Sequence, residues 1–227
     1  VRVNGRELRA RIVGEGGNLG LTQLARVEYA IHGGLIYTDA IDNSAGVDTS
    51  DHEVNIKILL DGLVRQGALP TEDRNAVLAE MTDVVADQVL EDNYGQNVVL
   101  GNARAGAPGM ITVHQRMIQQ LEREGLLDRA IEFLPDDEEI RVRRQAGVGL
   151  TSPELCVLLA YAKIWLTQEL NDSSIADEPY FAKALVSYFP PLLQERFGDA
   201  LASHPLRRQI ISTVTANRLL NIAGITF

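Results

Sequence analysis

Residues 8–18 read LRARIVGEGGN, an alternating apolar stretch that ends in a glycine-rich turn. The alternation predicts a β-strand that enters a partly buried sheet. A glycine-rich turn at the carboxyl end of such a strand is a place where open α/β sheets bind ligands. Gly16 and Gly17 leave room for a ligand against the backbone, and the Asn18 amide can both donate and accept hydrogen bonds. This combination suits a carboxamide or a ribose.

The residues after this turn predict a helix and a second strand. Apolar residues recur near helical spacing from Leu21 to His32, the pair Gly33-Gly34 ends the helix, and residues 35–37 resume an apolar β pattern. Because a helical crossover usually joins parallel strands, we expect both strand ends at one edge of a sheet. The unit is therefore predicted to be the tail of a doubly wound domain.

A second motif, DAIDNSAGVDTSDHE over residues 39–53, follows the second predicted strand. Asn43 or Ser44 is suited to cap a helix that begins there. If the helix starts near Ser44, Asn43 and Ser50 lie about two turns apart, roughly 10 Å along the axis. Their side chains are then predicted to face one cleft from different depths, with Gly46 leaving room for a ligand between them.

Together the two motifs resemble those of the glutamate dehydrogenase group of NAD(P)-dependent amino-acid dehydrogenases. That family has a Glu-Gly-Ala-Asn turn followed by a threonine and an alanine, and then an Asn-Ala-Gly-Gly-Val run preceded by Pro-Asp and followed by a serine and a glutamate. The positions that match in register, without a gap, are Glu15, Asn18, Thr22, Ala25, Asp39, Asn43, Gly46, Val47, Ser50 and Glu53. The chain departs from the family at Gly17, at Thr38 and at Ser44-Ala45, where the family has alanine, proline and Ala-Gly.

The resemblance implies NAD as the cofactor and a role for each matched polar residue. Gly16, Gly17 and Asn18 would lie against the nicotinamide end of NAD, and Asn43 would hold the nicotinamide or its ribose. Ser50 would donate a hydrogen bond to the distal carboxylate of L-glutamate, a charge-assisted bond worth about 1.5–3 kcal/mol in a dry cleft. Without the resemblance, Asn43 is an ordinary turn or helix cap and Ser50 an ordinary surface serine.

The polar cluster over residues 48–53 has three interpretations. A Ser-His-Asp hydrolase is disfavoured, because Ser50, Asp51 and His52 are adjacent on a helix and point about 100° apart. A metal site would use Asp48 and His52, which lie four residues apart on one face, but no second cluster of ligands is evident downstream. The sequence therefore predicts no metal site and a solvated first turn, whose acids interact favourably with the helix dipole.

Beyond Leu69 the sequence predicts helices almost throughout. The predicted helices cover residues 70–91, 110–123, 126–133, 152–166, 180–188, 191–201 and 205–220, and a further short one begins at 136–139. Residues 95–108 are rich in Gly, Asn and Ala, so this segment is predicted to be broken or irregular. No flexible linker interrupts the region, and we expect it to pack on the α/β part.

The helical region extends the resemblance to the carboxyl region of the large-subunit bacterial NAD-specific glutamate dehydrogenases. The segments that match include GLLDR at 125–129, GLTSPEL at 149–155, YFP at 188–190 and HPLRR at 204–208. Ser152 stands where that class usually has arginine. The expected fold class is mixed α/β and mostly α. The resemblance implies the distal part of a Rossmann-like NAD-binding domain over 1–45 and an α-helical carboxyl-terminal region over 46–227.

Composition excludes several classes of function. The net charge is -10 and the isoelectric point is near 4.9, so the chain offers phosphate backbones no attractive surface. No apolar run reaches the length of a membrane span, and no signal peptide is recognisable. Cys156 is the single cysteine, which excludes an internal disulfide, and its place on an apolar helix face predicts a core residue. We expect a cytoplasmic protein with neither nucleic acid nor membrane as a partner.

Parts of a complete enzyme are not recognisable in the 227 residues. A glutamate dehydrogenase needs a Gly-x-Gly turn for the pyrophosphate, a catalytic lysine and an acid for proton transfer. The chain begins at Val1 rather than methionine, with a hairpin signal at Asn4-Gly5. We therefore expect a fragment without catalytic residues, inactive alone, whose site is completed by the missing upstream portion of the same polypeptide, and a homo-oligomer at full length.

The predicted function is part of an NAD-dependent glutamate dehydrogenase, which oxidatively deaminates L-glutamate to 2-oxoglutarate and ammonia. The alternative is a helical regulatory or oligomerisation module with a vestigial α/β piece. The upstream reading frame distinguishes the two, because only the enzyme requires a glycine fingerprint and a catalytic lysine there.

Overall fold

The computed structural model describes residues 3–226, which form helices and, within this range, one two-stranded sheet. The strands are β1 (Ile12–Val13) and β2 (Leu35–Ile36). The helices are α1 (Gln23–Ile31), α2 (Asp39–Asp42), α3 (Ser44–Arg65), α4 (Arg74–Glu80), α5 (Thr82–Arg123), α6 (Asp137–Gln145), α7 (Ser152–Asp172), α8 (Ala182–Tyr188), α9 (Pro191–Leu201) and α10 (Arg207–Ala223). The expected mostly helical fold is confirmed.

Contacts divide the chain into two compact units. The first comprises Val1–Ser44, Gly95–Ile164 and Leu220–Phe227, and the second comprises Ala45–Tyr94 and Trp165–Leu219. The predicted division into a sheet domain over 1–45 and a helical region over 46–227 stays a prediction.

The sheet of the first unit is parallel, as the helical crossover predicts. Ile12 of β1 pairs with Leu35 of β2, and Val13 pairs with Ile36. The strand predicted over residues 8–13 is shorter than expected, since only its last two residues form the ladder. The assignment of this sheet to a Rossmann-like domain stays a prediction.

Helix α1 has the boundaries that its flanking residues dictate. Thr22 caps its start, because the Thr22 hydroxyl accepts a hydrogen bond from Ala25 N at 3.2 Å. Gly33 ends it with a φ of +92°. A Cβ at Gly34 would lie 2.2 Å from Tyr29 Cε1, so β2 can begin close to the helix only because residue 34 is glycine.

The hairpin predicted at Asn4-Gly5 is wrong. Gly5–Glu7 form a 3₁₀ turn in which the Glu7 carboxylate accepts a hydrogen bond from Asn4 N at 2.8 Å. A Cβ at Gly5 would lie 2.3 Å from the Ala25 carbonyl oxygen, so the glycine serves close packing on α1 rather than a hairpin. Val1 and Arg2, with which the predicted hairpin begins, lie outside the described residues.

Helix α5 contradicts the irregular segment predicted over residues 95–108. The helix is continuous from Thr82 to Arg123, through several glycines and Pro108. Each glycine lowers helix stability by about 1 kcal/mol relative to alanine. Burial offsets this, because Leu100 is 0% and Ala107 2% exposed. At Gly95 a Cβ would lie 2.9 Å from Asn221 Nδ2, so a larger residue there would displace the end of that side chain.

Helix α7 begins where the hydroxyl, proline and acid of residues 151–154 predict. Glu154 is fully buried, and its carboxylate accepts hydrogen bonds from Thr151 N at 2.6 Å and from Arg143 Nη1 at 2.7 Å. Leu158, predicted to be buried on this helix, is 0% exposed. The short helix predicted at 126–133 is absent from the described residues and is replaced by turns, in which Asp128 accepts a hydrogen bond from the amide of residue 130.

The second unit has its own hydrophobic core. The core packs residues from α3, α4, α8, α9 and α10 against each other. Its most deeply buried members, at 2% exposure or less, are Ile56, Leu60, Val77, Met81, Ala176, Phe189, Leu193, Leu201 and Ile211. Helix α9 has the predicted boundaries, Pro191–Leu201.

Candidate functional site

The glycine-rich turn follows β1 and is exposed at residues 16–18. A Cβ added at Gly16 or Gly17 would meet no atom within 4 Å, and neither glycine has a positive φ. Packing within the described chain therefore does not require glycine at either position. The absence of these side chains leaves open space over the backbone of the turn.

Glu15 fixes the base of this turn through a buried ion pair with α1. Arg26 Nε donates to Glu15 Oε1 at 2.6 Å and Arg26 Nη2 donates to Oε2 at 2.8 Å. The two side chains are 6% and 3% exposed. The hydrogen bond to Glu15 raises the pKa of Arg26 even though burial opposes this. A desolvated bidentate pair of this kind holds both groups in one orientation.

Two acids of the second motif bind the same turn. Asp39 Oδ1 lies 3.1 Å from Arg26 Nη2, and Asp39 Oδ2 accepts a hydrogen bond from Leu19 N at 2.8 Å. Asp42 Oδ2 accepts one from Glu15 N, also at 2.8 Å. Burial tends to raise the pKa of Asp39, but the Leu19 amide and Arg26 lower it overall, whereas burial raises the pKa of Asp42. Helix α2 is thus hydrogen-bonded to the turn on both sides of its glycines.

These bonds bring Asn18 and Asn43 together. Asn43 Nδ2 lies 3.4 Å from Asn18 Oδ1 and donates to it. Asn43 ends α2 as its C-cap, immediately before α3 begins at Ser44. Among residues 3–226 the two side chains make no further hydrogen bond, so the other Asn43 amide hydrogen, Asn43 Oδ1 and the Asn18 amide group remain able to bind a ligand.

Ser50 belongs to the second unit, whereas Gly16, Gly17, Asn18 and Asn43 belong to the first. The Ser50 side chain is exposed on α3, and its hydroxyl donates a hydrogen bond to the Val47 carbonyl at 2.7 Å. A substrate carboxylate would have to replace this carbonyl as the acceptor, an exchange of one hydrogen bond for a charge-assisted one. The role of Ser50 stays a prediction.

The polar cluster over residues 48–53 was predicted to be a solvated helical turn, and at His52 this prediction is wrong. The His52 side chain is buried, at 3% exposure, and stacks on Tyr188 with ring centroids 4.3 Å apart and planes at 14°. Tyr188 is held in turn by a hydrogen bond to Asp51 at 2.8 Å and one from Asn55 at 2.9 Å. Burial lowers the pKa of His52. Sequence reasoning missed this arrangement because its central ring comes from α8.

Cys156 is confirmed as a core residue. It is 1% exposed, and burial raises the pKa of its thiol to about 12. The thiolate, which is the nucleophilic form, is therefore scarce near neutral pH.

A pocket of about 470 Å³ in the first unit includes none of the predicted site residues. Its lining includes Ala30, Gly34, Arg104, Pro108, Gly149 and Ser152. Ser152, which lines this pocket and is 7% exposed, stands where the class described above usually has arginine. Nothing in the structure explains this difference.

Two family models match the chain. Residues 1–103 match the catalytic domain of bacterial NAD-glutamate dehydrogenase, and residues 147–227 match the glutamate dehydrogenase C-terminal model. The chain belongs to the bacterial NAD-specific glutamate dehydrogenase family.

Individual relatives agree with this assignment along the whole chain. The chain is 53% identical over 227 residues to the NAD-specific glutamate dehydrogenase of Pseudomonas aeruginosa. It is 49% identical to the protein of that name from Mycobacterium tuberculosis and 47% identical to that from Halomonas elongata. Each comparison covers 100% of the chain and 14% of the relative. Among residues 3–226, no helix combines the length and the hydropathy needed to cross a bilayer.

Proposed function

We propose that this chain supplies one wall of the active site of an NAD-dependent glutamate dehydrogenase, an enzyme that converts L-glutamate to 2-oxoglutarate and ammonia. Gly16, Gly17, Asn18 and Asn43 contact the nicotinamide end of NAD, and Ser50 contacts the distal carboxylate of the substrate. The chain holds no catalytic residue and is inactive without the rest of its polypeptide.

The observation that carries the proposal is the meeting of Asn18 and Asn43. Asn18 lies in the turn that follows β1, and Asn43 ends the short helix α2 that follows the parallel strand β2. Their amides lie 3.4 Å apart on the side of the sheet where these strands end. Open α/β sheets bind ligands at this edge. The open space over Gly16 and Gly17 adjoins the same amides in the turn.

The residues present fit a nicotinamide. Its carboxamide offers one acceptor oxygen and one donor group, and the amides of Asn18 and Asn43 offer the complementary groups. When bound, the nicotinamide supplies the hydride acceptor for the Cα hydrogen of glutamate. The part of this chain in that reaction is alignment, because a reacting atom held in position contributes to the rate. The Glu15–Arg26–Asp39 ion pairs keep the two asparagines in register.

The first test compares Asn43→Ala with Ser50→Ala in the full-length protein. Asn43→Ala removes a neutral hydrogen bond, so we expect the KM for NAD to rise about 2- to 10-fold. Ser50→Ala removes a hydroxyl from a carboxylate, so we expect the KM for glutamate to rise about 10- to 150-fold with far less effect on NAD. Steady-state kinetics with each substrate varied in turn gives both constants.

Thr49→Ala is the matched control for the serine. Thr49 is the neighbouring exposed residue, and its hydroxyl donates to the Ala45 carbonyl at 2.7 Å, just as Ser50 donates to Val47. Truncation of Thr49 should leave both KM values unchanged. Equal losses for glutamate in the two variants, or a loss of NAD and glutamate together in Ser50→Ala, would contradict the assigned role.

A further inference from the structure

Three side chains of the second unit converge at a point that neither motif explains. Asp48 and His52 lie four residues apart on one face of α3, and Asp92 lies on α5. One ring nitrogen of His52 and one carboxylate oxygen from each aspartate all lie within 4.8 Å of one another. His52 is buried, Asp48 is half-buried and Asp92 is exposed, so the cluster reaches from the core to solvent.

His52 provides a second and independent indication of a ligand. The His52 side chain is only 3% exposed. Its Nδ1 atom is buried and makes no hydrogen bond with any part of residues 3–226. Buried polar atoms of native proteins almost always have a partner. A histidine ring nitrogen binds a metal through its lone pair, in the tautomer that carries the proton on the other nitrogen, so a nitrogen without a hydrogen-bond partner is available for this role.

The surroundings hold the imidazole still. Tyr188 stacks on the ring, and the Tyr188 hydroxyl is bonded to both Asp51 and Asn55. Packing partners of this kind orient a ligand before the ion arrives.

The charges at the cluster favour a cation. One oxygen from each carboxylate lies within 4.8 Å of the other and of a His52 ring nitrogen, and like charges this close repel each other. A divalent ion between them removes the repulsion. The exposure of Asp92 leaves a route for the ion to enter and for water to complete the coordination.

We propose that Asp48, His52 and Asp92 form a binding site for a divalent transition-metal ion of the Zn²⁺ type. One imidazole nitrogen and two carboxylate oxygens give three protein ligands, which with a water make up the four of an open zinc site. The nitrogen ligand favours Zn²⁺ over Mg²⁺, which takes oxygen ligands. Ligand atoms of a tetrahedral zinc site are roughly 3.4 Å apart, so small side-chain adjustments close the present spacing.

The test uses the full-length protein, stripped of metal with a chelator and titrated with Zn²⁺ by calorimetry and in competition with a chromophoric chelator. We compare the wild type with Asp92→Asn and His52→Gln. Loss of a group that only orients a ligand weakens metal binding about 10- to 100-fold. Loss of a direct ligand should therefore lower the affinity for one zinc ion by at least that factor. Mg²⁺ at the same concentration should not displace the ion.

Glu53→Gln is the matched control, because Glu53 is an exposed acid on the same helix that pairs with Lys57 rather than with the cluster. It should retain the zinc equivalent. Asp92 is exposed and asparagine has its shape, so this variant keeps its fold even if the buried His52→Gln does not, and circular dichroism checks both. An unchanged affinity for this zinc equivalent in Asp92→Asn would overturn the proposal, as would an equal loss of affinity in Glu53→Gln. The site does not depend on the proposed NAD and glutamate contacts, because zinc stoichiometry is measured without turnover.

Discussion

Substitution of Arg26 tests whether the buried ion pairs hold the glycine-rich turn in place. Arg26→Met removes both hydrogen bonds to Glu15 and the contact with Asp39, while methionine keeps most of the apolar stem. The Glu15 carboxylate is then left 3% exposed without its cation. Leu21 N would still donate to Glu15, and Leu19 N and Ala40 N would still donate to Asp39.

The expected loss follows from the burial of the pair. Removing one partner of a buried ion pair destabilises by about 3–5 kcal/mol, because the other charge stays buried and uncompensated. The loss is local, since the bonds join residues 15–39 of the first unit. This free energy corresponds to an increase of about 10²- to 10⁴-fold in the equilibrium constant for local opening.

Hydrogen exchange with mass spectrometry of the full-length protein measures this change directly, because it reports local opening peptide by peptide. Peptides that cover residues 15–26 should lose protection by that factor. Arg26→Lys keeps the charge but not the bidentate geometry, so its loss should be intermediate.

Arg6→Met is the matched control within the same unit. Arg6 lies 3.8 Å from Glu28, and the two side chains are 61% and 31% exposed. Exposed ion pairs contribute about 0–1 kcal/mol to stability, so the loss of hydrogen-exchange protection in Arg6→Met should not exceed about fivefold. A change below fivefold in Arg26→Met, or an equal change in Arg6→Met, would refute the structural role of the network.

Two further predictions concern packing and pH. Gly149→Ala places a Cβ 2.5 Å from the Ala107 carbonyl oxygen, so we expect a loss of about 1–3 kcal/mol, seen as faster exchange of residues 145–155. Gly62→Ala in α3 meets no atom within 4 Å and should be stabilising by about 0.5–1 kcal/mol; equal effects of the two would contradict the steric argument. At pH 8, iodoacetamide should leave Cys156 unlabelled in the folded protein and label it in denaturant, as peptide mass mapping would show. Because burial raises the thiol pKa from 9.0 to about 12, its stabilising contribution is complete below pH 9 and is lost as the pH rises towards 12. Labelling of the native thiol at pH 8 would contradict this.

Local signals were sufficient for the elements near the site. The alternation before Gly14 and the glycine pair after His32 predict β1, α1 and a parallel β2, because turn and cap residues act through their own backbone. The Ser152-Pro153-Glu154 sequence likewise predicts the start of α7. That Asn18 and Asn43 come after these two strands in the chain was predictable for the same reason, but the short helix α2 between β2 and Asn43 was not predicted.

Features that depend on distant partners were not predictable. Propensity alone breaks the helix over residues 95–108, but burial of Val99 and Leu100 outweighs the glycines. His52 looks solvated among acids, and only the ring of Tyr188, far along the chain, buries it. Asp92 was not recognised as a neighbour of Asp48 because no spacing rule connects α3 with α5.

The ion pairs of Glu15, Arg26 and Asp39 also limit how this region can change by mutation. Glu15 of the first motif and Asp39 of the second both bond to Arg26 of α1, so neither acid is free to bind a ligand. A protein engineer who moved one motif into another sheet would carry over a buried charge and leave its counterion behind. The two motifs and the helix between them should therefore be transferred together. Substitutions at Arg26 should be tolerated only when both acids change as well.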